Sequence, residues 1–472
     1  MFHSKILWIV ATLLLSTSGK RSFPTCRRYI CFIEPMAIIP KEPYVFHPHH
    51  VDPNLCTHMS LSSMRLAGNK LDIALWHAEK RLTNMYEQMK QFKRKKPKIQ
   101  MMLTVGDNYP NSLKFSKMAS TVSGRREFIS SLIPFLREQG FDGVDIDWFF
   151  PGYFGGAKSD KETYAALIKE IATEFVQESS SDDRKRLLLS ASAPRADWLV
   201  IMGYNVTEFA SYVDFINILT SGYNLQVNTP IKHWSPLDSS DGGNIKESVK
   251  YWVDRGMPKV KINIAIVAFS HRVYTKSSSD IKFGKSVIKG EAKTEGRGRG
   301  YLTHYQNWLR KLLERVQAKR EQKHIAKMQN WTMQRDTSPK PKRKFQKTYS
   351  AIRKSASDGV KTRGNLLKVK INAMTHTNLK IMQKQTCSVL KQGGKVYWDS
   401  FASAPYHIID NYFLSFENKE GIKDKVRFIR EHKFGGVVFR GPQEDDYLGL
   451  ECGKGPYPLL RTIKQQCTIK MY

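Results

Sequence analysis

The sequence lacks any long hydrophobic run beyond its first twenty residues, which excludes a multi-span membrane protein. It is also short of acids. Against 43 Asp+Glu stand 76 Lys+Arg, a net charge of +33, with a pI near 9.8. Such a surplus predicts attraction to polyanions and says nothing about fold. There are only six cysteines, and none falls in a four-ligand Cys/His spacing, so neither zinc nor any other metal or cofactor is implied. No internal repeat of fixed period is visible. What remains is a chain of 472 residues, 41% hydrophobic and 11% aromatic, enough to bury a large core in one big domain or two smaller ones.

The N-terminus is organised in three parts. Lys5 precedes an apolar block from Ile6 to Leu15, and the small residues Ser16-Thr17-Ser18-Gly19 follow. This order predicts a secretory signal over residues 1–19, cleaved after Ser18 or Gly19. The alternative, an uncleaved anchor, is opposed by an apolar run shorter than the roughly 20 residues a span requires. Secretion gives the cysteines (Cys26, Cys31, Cys56, Cys387, Cys452, Cys467) an oxidising environment. Six cysteines allow 15 connectivities, and sequence alone does not choose among them. It also makes Asn205-Val-Thr207 and Asn330-Trp-Thr332 candidate glycosylation sites.

From about residue 50 to 270, short apolar runs alternate with amphipathic stretches. Ile99 to Val105, Gly143 to Trp148, Leu187 to Ala193, Phe215 to Leu219 and Val260 to Val267 read as buried strands. Arg125 to Gln139 and Lys161 to Glu178 carry apolar residues at helical spacing. Strand and helix in regular alternation predict α/β architecture, a parallel sheet with helices outside, and a (β/α)8 barrel fits the length.

The pattern breaks near residue 310. Between Arg310 and Lys395 there are 23 Lys+Arg and four acids, a net of +19. Lys340-Pro-Lys-Arg-Lys344 is the densest point. With few clustered apolar residues, 310–395 reads as a disordered or loosely helical basic insertion. Periodic pattern returns at Val396, and Val426 to Phe434 before Gly435-Gly436-Val437-Val438-Phe439 reads as a last helix and strand. The expected body is therefore residues 20–272 and 396–472.

The most informative stretch is Phe141-Asp-Gly-Val-Asp-Ile-Asp-Trp-Phe-Phe-Pro-Gly152. On a strand, residues two apart share a face. Asp145, Asp147 and Phe149 then point into the barrel, while Val144, Ile146 and Trp148 meet the covering helices. Two inward acids so close repel one another, and one should have a raised pKa. Asp142 has the opposite parity and is expected to support the turn. No group at the third inward position can donate a proton.

The stretch resembles the acidic strand of the glycoside hydrolase family 18 chitinases and chitinase-like lectins, in their vertebrate secreted branch. That strand reads Asp-Gly-x-Asp-x-Asp-Trp-Glu-Tyr-Pro-Gly, and every specified position outside the Glu-Tyr pair is identical here. Tyr212-Val-Asp-Phe-Ile-Asn217, Trp234-Ser-Pro-Leu237, Gly256-Met-Pro258, Phe434-Gly-Gly436 and Cys452-Gly-Lys-Gly-Pro-Tyr-Pro-Leu459 match further landmarks in order. The resemblance implies a barrel with a small α+β insertion domain before the last strands. It also implies a disulfide between Cys31 and Cys56. The family's partner of Cys452 aligns with Trp308, which leaves Cys387 or Cys467 to take its place.

The departures decide the expected function. In the family the Glu protonates the glycosidic oxygen, and this sequence has Phe149 there. General acid catalysis is worth roughly 10²–10⁴-fold, and the leaving group needs it. The Tyr-Asp pair that holds the substrate acetamide aligns with Ser221 and Gly222. Three cleft tryptophans align with Met36, Asn108 and Arg440, and each lost ring removes stacking area for sugar. Asp142, Asp145 and Asp147 are read as vestigial. Arg440 either turns into the vacated cavity to pair with Asp147, or with Asp145 and Asp147 through water, or snorkels outward. The resemblance thus implies a secreted, catalytically inactive chitinase-like protein with glycan partners. Its rivals are a sulfated-polyanion binder acting through the basic insertion and a hydrolase of altered mechanism. No aromatic interleaving of a known module supports nucleic acid.

Overall fold

The computed structural model of the chain describes residues 25–34, 46, 50, 52–73, 80–106, 109–148, 150–153, 156–181, 184–223, 232–274, 378–409 and 412–469. The signal segment, Met36, Asn108, Phe149, Asn330 and residues 310–377 of the basic insertion lie outside them.

Strand β1 (Arg28–Ile33) is followed by β2 (His58–Met64), a two-residue hairpin of β3 (Leu66–Ala67) and β4 (Lys70–Leu71), and β5 (Gln100–Gly106). Then come β6 (Gly143–Asp147), β7 (Leu188–Ala193), β8 (Phe215–Ile218) and β9 (Ile262–Val267). After a second sheet, β15 (Gly436–Arg440) pairs in parallel with both β9 and β1 and closes an eight-stranded barrel. This is the (β/α)8 architecture expected from the alternation.

Period two explains how the strands divide their side chains. Met59, Leu61, Met101, Leu103, Val144, Ile146, Leu189 and Ala191 join the core between barrel and helices. Ile30, Phe32, Met102, Phe215, Ala265 and Val438 form a separate cluster inside the barrel. The helix Val122–Gln139 shows how the outer layer is specified. Thr121 caps it by accepting from the Gly124 N–H at 3.0 Å, and Gly140, at φ 77°, ends it in the left-handed region. Phe128, Ile129, Leu132, Phe135 and Leu136, at i, i+1, i+4, i+7 and i+8, form its buried stripe.

The second sheet is antiparallel. It contains β10 (Phe269–Tyr274), β11 (Asn378–Met382), β12 (Lys395–Asp399), β13 (Ala404–Ile409) and β14 (Tyr412–Ser415), in the order β11-β10-β14-β13-β12. The helix Gln383–Lys391 packs on it through Val389 and Leu390, against Leu414 and Phe416. The expected boundary of the basic insertion at residue 395 is therefore corrected, because Asn378–Lys395 belongs to the folded body. Its lysines hid the pattern. Thr386 is buried and hydrogen-bonded to Ser270 (Oγ to Oγ1, 2.6 Å), and Cys387 bonds to Cys452.

All six cysteines are paired. Cys26–Cys467 joins the entrance of β1 to the C-terminal helix Pro458–Thr468, and the Cys26 N–H also donates to the Cys467 carbonyl at 3.0 Å. Cys31 and Cys56 are linked, with Cα atoms 5.8 Å apart.

Strands β10 and β11 are antiparallel neighbours, with Val273 opposite Asn378. The chain therefore leaves the sheet at Tyr274 and re-enters beside the point of exit. Residues 275–377 contain 26 Lys+Arg and seven acids, +19 of the total +33. Their closure entropy grows only slowly with length. Replacing 275–377 by a short Gly/Ser turn should leave the barrel's melting midpoint within a few degrees. Calorimetry checks this, and a collapse of the midpoint would place the segment in the folded body.

Candidate functional site

The acidic strand β6 runs through the barrel wall with its side chains divided as its parity dictates. Trp148 packs outward on Phe115 (centroids 5.5 Å apart, 19° between planes) and against Tyr164 at 4.8 Å. Asp142, before the strand, accepts from the Met101 N–H at 2.7 Å and pairs with Lys93. It fastens β5 to the base of β6, away from the barrel's mouth.

Asp145 points inside and is 1% exposed. Three donors from two neighbouring strands hold it. Ser190 Oγ donates to Oδ1 at 2.6 Å, Ser192 Oγ to Oδ2 at 2.9 Å, and Asn217 Nδ2 to Oδ1 at 3.1 Å. The chain of bonds continues downward, since Asn263 Nδ2 donates to Asn217 Oδ1 at 3.0 Å and Arg28 Nε donates to Asn263 Oδ1 at 3.0 Å. Burial pushes the Asp145 carboxyl up, against the three hydrogen bonds and the positive charge of Arg440, which all pull it down. The same burial lowers Arg28 to about 10, helped by Arg27 beside it. An acid so enclosed is a structural acceptor at the centre of a polar network.

Asp147 lies one layer higher and is also buried. Gly106, at φ 129°, lets β5 approach it: a Cβ there would sit 2.0 Å from the Asp147 carbonyl oxygen. Two tyrosines stand near both acids, and the hydroxyl of Tyr204 donates to the Ser192 carbonyl at 3.4 Å. Burial, with the repulsion of Asp145 and Asp147, raises the pKa of Tyr204 well above its ordinary value. Both phenols therefore stay neutral.

Beyond the strand, Phe150 takes a left-handed φ of 60°. The Gly152 N–H then donates at 3.1 Å to Oδ2 of Asp160, the first residue of the helix Asp160–Ser181. This turn after the strand is anchored.

Thr220 fixes the loop after β8 by donating from Oγ1 to the Ala265 carbonyl at 2.6 Å. Gly222, at φ 80°, donates its N–H to Trp234 and accepts from Arg195 Nη2 at 2.6 Å. The Arg195 guanidinium lies over the Tyr223 ring at 5.3 Å. Ser221 and Gly222 thus sit on a loop held by backbone bonds.

Arg440 does turn inward. Its guanidinium lies 4.2 Å from the centre of the Phe32 ring and donates from Nη2 to Glu34 Oε1 at 2.6 Å. Glu34 is thus an ion-pair partner of Arg440, a residue the sequence reading missed, as it missed Ser190, Ser192, Asn263 and Arg195. Ser190 and Ser192 left one signal, polar residues at period two in an otherwise apolar strand.

The model of the family described as Glycosyl hydrolases family 18 matches residues 28–439. The chain is 26% identical over 468 residues to chitotriosidase-1 of Mus musculus, covering 98% of this chain and 81% of that protein. It is 23% identical over 471 residues to chitinase-3-like protein 2 of Homo sapiens, covering 98% and 97%. An immunomodulatory active chitinase from Trichuris suis superposes with a TM-score of 0.69 at 24% identity, over 93% of this chain and 99% of that one. Human YKL-39, described as a pseudo-chitinase with retained chitooligosaccharide binding properties, superposes at 0.68 with 22% identity, over 93% and 99%. At these identities the superpositions speak for the fold.

The Asp145 network makes a graded prediction for stability. Asp145→Ala strands three buried donors, each costing about 1–3 kcal/mol if left unmade, whereas Asp145→Asn keeps an acceptor and should cost less. The pH dependence has a definite sign. A carboxyl raised above its ordinary 3.8 stabilises most below that value and loses the contribution as pH rises through the folded pKa. The stability advantage of wild type over Asp145→Asn should therefore shrink as pH rises from about 4. Denaturant unfolding of both variants across pH measures this, and equal losses for Ala and Asn would contradict it.

Proposed function

The chain belongs to glycosyl hydrolases family 18, and from that membership we propose that it is a secreted, catalytically inactive chitinase-like protein that binds chitin-type glycans weakly. The observation that carries the reading is in the sequence: Phe149 follows Asp145-Ile-Asp147-Trp where the family's strand has its Glu. A benzyl group holds no transferable proton, so the leaving sugar would depart as a bare alkoxide. Asp145 does not take over the task, because its oxygens are committed to Ser190, Ser192 and Asn217. Asp142 is remote, paired with Lys93.

The acetamide-holding groups are absent as well. Gly222 has no side chain, and its φ of 80° opposes an added one. Where a tryptophan would stack on sugar, the Arg440 guanidinium lies on Phe32 and pairs with Glu34. Met36 and Asn108 replace the other two rings. Sugar affinity then rests on hydrogen bonding with little aromatic area, which supports weak binding. Secretion is supported by the N-terminal signal pattern and by three disulfides. Asn205 is an exposed helix cap next to exposed Thr207, where a glycan has room.

One observation favours a second reading, in which the barrel is a scaffold for a polyanion-binding arm. The +19 segment 275–377 is spliced between two paired antiparallel strands, with Val273 opposite Asn378, so its two ends are fixed side by side. Heparan-like glycan fits that charge. The variant lacking 275–377 should elute from heparin at much lower salt.

Activity measurements separate the main reading from a hydrolase of altered mechanism. Phe149→Glu alone should leave chito-oligosaccharide turnover at background, because the acetamide is still unheld. Robust hydrolysis by this single variant would show that Ser221 and Gly222 do not stand in for the missing groups.

A further inference from the structure

Strand β12 is the outer edge of the antiparallel sheet. Among the described residues it pairs only with β13, in an unbroken register from Lys395 opposite Ile408 to Asp399 opposite Ala404. Natural sheets protect such edges with proline, a bulge or a charge in mid-strand. Lys-Val-Tyr-Trp-Asp has none of these; its charges stand only at the two ends. Val396 and Trp398 are 52% and 42% exposed. They lie on the face that the helix Gln383–Lys391 covers over β14, outside the apolar cluster of Val389, Leu390, Leu414 and Phe416. On the opposite face Tyr397 stacks on Tyr406 at 5.0 Å and 10°.

The order of these five residues is self-complementary. If β12 meets a second copy of itself antiparallel and centred on Tyr397, Lys395 falls opposite Asp399 of the second copy. Val396 then falls opposite Trp398, and Trp398 opposite Val396. A twofold contact of this kind makes each off-axis pairing twice, with the two Tyr397 residues meeting once on the axis. It would join the two five-stranded sheets and bring both apolar pairs onto one face, where aromatic and β-branched residues facing one another across strands stabilise a sheet. A one-residue slip would set Lys395 against Trp398 and lose both charge matches. Asp399 already accepts from His233 at Oδ2 and from the Phe401 and Ala402 N–H groups at Oδ1; these bonds hold its carboxyl below the usual range, so it meets Lys395 of the second copy as a fixed negative charge.

We propose that β12 is a homodimerisation edge, in which two copies of this chain pair antiparallel about Tyr397. A five-residue strand buries less than the roughly 1,200 Å² of a stable interface. The association is accordingly weak and shows itself at high protein concentration.

The register makes the proposal sharp. Cα atoms directly opposed in an antiparallel pair are about 4.5–5.5 Å apart, within the range a disulfide spans. Every native cysteine is already paired, so an introduced one is the lone thiol. Under mild oxidation the full chain carrying Tyr397→Cys should become a covalent dimer. Lys395→Cys, on the same face but four residues from its own copy's equivalent, should not. Trp398→Lys should abolish the concentration-dependent dimer seen by sedimentation, with barrel unfolding unchanged. The proposal is overturned if the Tyr397→Cys thiol stays free and the chain monomeric. It is equally overturned if Lys395→Cys links as fast, or if Trp398→Lys sediments like wild type.

Discussion

One buried carboxylate organises the interior of this barrel. Asp145 is held by Ser190, Ser192 and Asn217, and through Asn217 and Asn263 it is tied to Arg28 near the base. Burying an acid costs several kcal/mol unless hydrogen bonds replace the lost water. Strands β7 and β8 supply those hydrogen bonds and Asn263 of β9 continues the network, so it also fixes how β6, β7, β8 and β9 sit against one another. This structural role gives Asp145 a reason to be kept that does not depend on catalysis. Removing it would leave an unpaired polar layer in the middle of the fold.

The fold was legible because it rests on local periodicity. Apolar strands and amphipathic helices in alternation led to the barrel, and the parity of Asp145 and Asp147 against Val144, Ile146 and Trp148 followed from the pleat alone. The partners of Asp145 were not legible, because they lie 45, 47 and 72 residues away along the chain. Glu34 escaped notice for the same reason. It meets Arg440 across 406 residues, through the closure of β1 on β15. The pair Cys26–Cys467 also depends on that closure, since its two cysteines are 441 residues apart.

Charge misled the reading at one point. Lys380, Lys384 and Lys391 made residues 378–395 look like a continuation of the basic arm. The strand and helix there are specified by sparse apolar residues and by Cys387, whose bond to Cys452 anchors the segment to the chain after β15. Composition averages over a window, whereas a two-layer sheet needs only every second residue to be apolar. The real splice point lies between β10 and β11, where the ends of 275–377 meet in register. An insertion there adds charge to the protein without interrupting either sheet.

The account's central claim is a barrel that has kept the family's architecture and lost its chemistry. An equilibrium titration of chitotetraose into the intact protein, followed by mass analysis of the recovered sugar, tests it most directly. The account predicts weak, saturable binding with the tetrasaccharide recovered whole after prolonged incubation. Release of shorter oligosaccharides would contradict it, and so would tight binding.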